Sequence, residues 1–158
     1  MRSYPRNSPH AAARIIAVTL ISDGKIKQIE LTALERMDAC VRLGLSLAQL
    51  HEVVHELCTD LLAEAAATGR DNCAISPATI ASLLSDVDEP ALRCTVFELC
   101  AGVARADRMM HEGELIVLLE AIDKWRIDQG SHASVAPSVL QAPAPRASTS
   151  PQATASPH

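Results

Sequence analysis

The sequence predicts an all-α protein, and three observations carry that expectation. Hydrophobic residues make up 48 % of the 158 and are nearly all Ala, Leu, Ile and Val, with Tyr4, Phe97 and Trp125 as the only aromatics. Long Ala/Leu/Glu-rich segments of this kind favour helices over strands. Apolar positions also recur at helical spacing between recognisable caps. Finally, a stretch that begins at Ile21 returns in weaker form at Arg105, which points to a compact bundle of two similar helix–acidic turn–helix units.

Taken in order, residues 1–10 carry two prolines and polar side chains and read as a disordered arm. A first helix is expected from Ala11 to Ser22, apolar enough to be buried, with Asp23-Gly24 ending it in turn geometry. The second spans Lys27 to Leu43, where Ile26, Leu31, Leu34, Met37 and Val41 mark its apolar side and Gly44 stops it. Ser46 caps a third helix from Leu47 to Thr68, ended by Gly69. Ser76-Pro77 opens a short fourth helix to Ser85, and Asp88-Glu89-Pro90 opens a fifth to Ala106. The last helix runs from Glu112 to Ile127. From 129 to 158 the chain is Pro, Ala, Ser and Thr without periodicity, a composition that buries too little apolar area to offset ordering entropy, so a disordered tail is expected. The folded domain is thus 11–128.

At a shift of 84 positions, six of the thirty residues from Arg14 to Leu43 repeat, including Asp23 as Asp107, Glu30 as Glu114 and Leu31 as Leu115. Roughly two identities would arise by chance at ordinary composition. Each Asp ends a helix and each Glu lies one turn into the next, so a tight reversal brings the two carboxylates together. If the two units pack about a pseudo-twofold axis, four carboxylates face a shared region, and clustered anions are costly unless a cation or protons neutralise them. Oxygen ligands at this density suit calcium, magnesium or manganese. The structural alternative is that the Asp residues cap free amides and the Glu residues favour the positive helix end without any metal.

Charge and cysteine usage narrow the function classes. Between 11 and 128 eleven basic residues face nineteen acidic ones, a balance of −8 that repels phosphate backbones, so nucleic acid is not an expected partner. Five cysteines, odd in number and never in a Cys-x-x-Cys pair, suit buried reduced thiols in a cytosolic protein. The run Ile15 to Ile21 is short, preceded by Arg14, and followed by no small-residue cleavage site. It is not read as a signal peptide, and no apolar run is long enough to enter a bilayer. The expected location is the cytoplasm.

The Asp-Gly-x-Ile-x-x-x-Glu-Leu stretch from Asp23 to Leu31, the Leu-Gly-Leu-Ser break at Leu43 to Ser46, and the second Ala-Asp to Glu-Leu stretch from Ala106 to Leu115 resemble the tellurite-resistance protein B (TerB-like) family. That family shares its helical fold with the N-terminal region of the membrane-linked DjlA co-chaperones. The resemblance covers about residues 12 to 128. It implies an all-α duplicated bundle, an acidic surface that binds divalent metal, and a part in tellurite or general stress response through protein complexes near the membrane. Carried over by position, the metal ligands are Asp23, Glu30, Asp107 and Glu114. Arg108 stands where the first copy has Gly24, placing a cation beside the second half-site. No J-domain follows, so co-chaperone activity is not implied.

A competing enzyme reading rests on His51-Glu52-Val53-Val54-His55, a literal H-E-x-x-H on a helix, in which two His one turn apart bind zinc and the Glu activates water. On a helical wheel, however, His51 and His55 sit beside Cys58 and Leu62 at the edge of the apolar face, a usual place for half-buried histidines. The extended motif needs Gly at Cys58 and His at Leu61, and a zinc peptidase needs a third ligand and an aligning strand. Met109-Met110 suits turn or core packing better than a soft-metal site. The expected function is therefore a non-enzymatic module that binds protein partners, with a divalent cation as candidate cofactor. A metal-free adaptor and a zinc-dependent hydrolase are the alternatives.

Overall fold

A computed structural model describes residues 2–69 and 75–127 of the chain. It is all-helical there, with seven helices and no strand: α1 (Pro9–Ile21), α2 (Gln28–Arg36), α3 (Ala39–Leu43), α4 (Leu47–Thr68), α5 (Pro77–Leu84), α6 (Pro90–Ala104) and α7 (Glu112–Trp125). The expected tail at 129–158 and Cys73 lie outside the described residues.

The central element is α1. Ser8 caps it, its Oγ accepting from the Ala11 amide at 3.1 Å, and Pro9 supplies the first helical residue. Every residue from Ala11 to Leu20 is buried. A helix apolar around its whole circumference must be enclosed, and α4, α5, α6 and α7 all pack against it. Alanines at 11, 12, 13 and 17 let those neighbours approach, while Ile15, Ile16 and Leu20 fill the spaces between them. Each such large side chain contributes about 1.5–3 kcal/mol on burial.

Two expectations about local structure are corrected. The helix expected from Lys27 to Leu43 is two helices, because Asp38 adopts a left-handed conformation (φ 51°) and breaks it. Aspartate tolerates that geometry better than most residues. The break lets Met37 lie against Gly102 of α6 while Leu34, Ala39 and Leu43 turn into the core.

The segment before α1 is also not the free arm expected for residues 1–10. The Arg2 amide donates to Asp60 Oδ2 at 2.7 Å, and Tyr4 donates its hydroxyl to Glu56 on α4. Burial and the neighbouring Glu56 carboxylate push the Tyr4 hydroxyl up to about 12. Asn7 reaches the opposite side, its Oδ1 accepting from the Asp88 and Glu89 amides at 2.8 and 3.0 Å at the start of α6. Arg14, buried within α1, pairs with Asp60 at 2.7 Å and donates to the Arg2 carbonyl. The segment therefore acts as a strap from α4 to the α5–α6 corner.

Candidate functional site

The two acidic turns are built alike. After α1 ends, Asp23 Oδ1 accepts from the Lys25 amide at 2.9 Å while Gly24 takes φ 80°. After α6, Asp107 Oδ1 accepts from the Met109 amide at 2.9 Å while Arg108 takes φ 62°. Such a turn needs a left-handed residue, which glycine supplies without steric cost and arginine does not. Lys27 then precedes α2 and His111 precedes α7 as N-cap residues. Glu30 and Glu114 reach back one turn, each through Oε2, to the Lys27 amide at 3.4 Å and the His111 amide at 2.9 Å. This is the reciprocal half of a capping box.

The corners meet through Lys27. Its Nζ lies 2.7 Å from Asp107 Oδ2, 2.8 Å from Asp23 Oδ2, 2.9 Å from His111 Nε2 and 3.4 Å from Glu30 Oε1. An ammonium has three hydrogens, and the three shortest contacts account for all of them in the tautomer whose His111 Nε2 accepts. Glu30 Oε1 is consequently left without a hydrogen bond, although the Glu30 side chain is only 1 % exposed. Burial pushes the Glu30 carboxyl above its ordinary range against the opposing pull of the Lys27 amide and ammonium. For Asp23, burial also acts upward, but hydrogen bonds from Lys27 and the Lys25 amide outweigh it and hold the carboxyl below its usual range. The Lys27 hydrogen bond, followed by the Met109 amide, does the same for Asp107. In return, hydrogen bonds to Asp107 and Asp23 raise Lys27 well above an ordinary lysine.

Of the four expected ligands, Asp23, Glu30 and Asp107 are therefore brought together. Glu114 is buried and engaged with its own helix start. As placed, these residues do not fit a divalent ion, because the Lys27 ammonium fills the position such an ion would need. Among the described residues no group of three or more His, Cys, Asp or Glu side chains is spaced to hold a metal. The cation expected at Arg108 is likewise corrected: Arg108 is exposed, and the charge that meets the carboxylates comes from Lys27. Sequence reasoning passed over Lys27. The available signal was a lysine at an N-cap, a position where a side chain with no acceptor cannot serve the helix amides.

The second feature is a groove along α4. Three adjoining cavities follow one another, of about 350, 350 and 690 Å³. The first shares Leu31 and His51 with the second, which shares Ile26 and Cys58 with the third. Leu47 lines one end and Leu62 the other, fifteen residues apart on α4, or roughly 22 Å at 1.5 Å per residue. Ile26, Leu47 and Leu62 stand exposed along it. Glu35 and Asp38 lie at the Leu47 end.

His51 and His55 border this groove and are exposed, rather than half-buried at a core edge as expected. Met109 and Met110, expected in turn or core packing, lie exposed in the turn between α6 and α7. Among the cysteines, Cys100 is buried, and its thiol is pushed up to about 12 by desolvation, which removes it as a nucleophile; Cys94, expected buried, is exposed. No described helix is long and apolar enough to cross a membrane. No family model, curated protein or solved structure matches the chain.

Proposed function

We propose that this chain is a non-catalytic, TerB-like interaction module of the cytoplasm that receives an amphipathic helix of a protein partner in the groove beside α4. The groove is the observation that carries the reading. It is about four helical turns long, and apolar side chains are exposed along it. The acidic pair Glu35 and Asp38 at one end selects a partner helix with lysine or arginine at the matching end. A stress-response role near the membrane is what the TerB-like residue pattern adds, and the net negative charge of the domain favours basic protein surfaces over nucleic acid.

The test is an NMR titration of the full chain with a Leu/Lys amphipathic peptide of about fifteen residues, the length that spans the groove. Shifts confined to α2, α3, α4 and the turn from Ile21 to Ile26, together with roughly tenfold weaker binding in Leu62→Glu at unchanged thermal stability, support the reading. Shifts centred on the other exposed apolar group, Met109, Met110, Leu115 and Leu119, or no saturable binding, would overturn it. The zinc-hydrolase alternative predicts instead zinc-dependent peptidase activity lost in Glu52→Gln.

A further inference from the structure

We propose that the chain pairs with a second copy of itself through the exposed face of α7, the two helices lying antiparallel across a twofold axis.

The inner face of α7 is already occupied. Glu114, Val117, Leu118, Ala121 and Trp125 are buried, and α1, α5 and α6 pack against the helix. Its outer face carries a second apolar row. Leu115 and Leu119 are 43 % and 55 % exposed, and Ile122, one turn further, is half-buried. A helix that serves only its own core keeps its outer face polar. With Glu112 before them and Arg126 after, these residues fall at alternating steps of three and four, the spacing with which one helix presents a seam to another. Met109 and Met110, exposed in the turn that leads into α7, add apolar surface at its start.

The charges at the two ends of the row select the occupant. Glu112 lies in the first turn of α7 and Arg126 is its C-cap. Both are exposed, and neither joins an ion pair among the described residues. A parallel copy would set Glu112 against Glu112 and Arg126 against Arg126. An antiparallel copy brings the Glu112 of each chain to the Arg126 end of the other, and seats Leu115 of one on Leu119 of the other. The helix dipoles favour the same direction, since each positive end then meets a negative one. One surface therefore carries both halves of its own complement, which is what a twofold interface requires. The seam is only fourteen helical residues long, or about 21 Å, so the dimer is weak and depends on concentration. Nothing in this pairing rests on the groove beside α4, which α7 does not line.

Sedimentation velocity of the full chain from about 1 µM to about 1 mM tests the pairing, a range that spans weak self-association. The wild type should pass from monomer to dimer within it. Leu119→Glu, at a position outside the core, should stay monomeric with an unchanged Tm. Glu112→Arg and Arg126→Glu should each weaken self-association by roughly tenfold, because like charges then meet at both ends. An equimolar mixture of those two variants should form a heterodimer at least as tight as the wild-type pair, a rescue that lost stability or lost apolar area does not produce. A wild type that stays monomeric throughout the range would overturn the proposal. So would a dimer that Leu119→Glu leaves intact, one that Leu62→Glu in the groove dissolves instead, or charge variants that pair as tightly as the wild type.

Discussion

Gly113, at the start of α7, lies against the backbone of Ser22 at the end of α1, and replacing it with alanine measures that approach. A Cβ added there would lie 2.5 Å from the Ser22 carbonyl oxygen and 2.9 Å from Ser22 Cβ. Ordinary contact between such atoms begins near 3.4 Å, so the end of α1 and the start of α7 must separate by roughly 1 Å. The obstacle is backbone, which cannot swing aside as a side chain can. Overpacking of this kind costs about 1–3 kcal/mol, whereas exchanging Gly for Ala inside a helix returns at most about 1 kcal/mol and less in the first turn. Gly113→Ala should therefore be destabilised by about 1–2 kcal/mol, which for a domain of this size is a fall in Tm of about 4–8 °C. Gly102→Ala is the internal comparison. There the added Cβ meets only the terminal Sδ and Cε of Met37, which can rotate away, and Gly102 lies mid-helix where the gain in helix propensity is full. Its stability should stay within about 1 kcal/mol of wild type. Thermal unfolding by far-UV circular dichroism reads both variants. A Gly113→Ala protein as stable as wild type, or one that falls no further than Gly102→Ala, would refute the close approach of α1 and α7.

Other consequences follow from the same geometry. Arg108 holds φ 62°, a conformation that costs a non-glycine residue about 1 kcal/mol, so Arg108→Gly should raise stability by about 0.5–1 kcal/mol in chemical denaturation; a loss would mean the turn is not left-handed there. Asn7→Ala removes the acceptor for two amides at the start of α6 and should cost about 1 kcal/mol, whereas a free N-terminal arm predicts no change. Stability should also vary with pH in three windows. As pH falls from neutrality, Glu30 takes up its proton earlier in the folded state than in the unfolded chain, so stability rises until the unfolded value of 4.5 is passed. Asp23 and Asp107 contribute stability that is present above 3.8 and lost as pH falls through their lower folded values. At the alkaline end, the Lys27 contribution is complete below 10.5 and is lost as pH rises through its higher folded value. Acid and base titrations of Tm check the signs, and Glu30→Gln should abolish the acid-side rise.

The all-helical class and several helix bounds were legible because their signals are local. Ser46 and Gly69 bracket α4, and Ser76-Pro77 opens α5, through chemistry contained within a turn of chain. The spacing of Asp23 and Glu30 likewise placed both carboxylates at one helix start, since a single tight reversal suffices. What escaped the sequence depends on distant partners. Asn7 looks like part of a polar, proline-punctuated arm until Asp88 and Glu89 are seen beside it, some eighty positions away in the chain. Asp38 lies inside a continuous helical pattern, and only the packing of Met37 on Gly102 and the inward turn of Leu43 account for the break. Lys27 reads as one more surface lysine because periodicity reports which face a residue occupies, not which charge from another helix pair it meets. The same limit hid the groove: Leu31, His51 and Cys58 are unremarkable singly, and become a surface only when α2 and α4 stand apart over α1.

The account depends on one ammonium joining two acidic turns, and carbon-detected NMR titration of the individual carboxyl groups tests that most directly. In the wild type, Asp23 and Asp107 should titrate below 3.8 and Glu30 above 4.5. In Lys27→Met, both aspartates should move upward together, because each loses a hydrogen bond to the same Nζ. If Asp107, eighty residues from Lys27, titrates at its ordinary value in the wild type and does not respond to the substitution, the two corners do not share a cation.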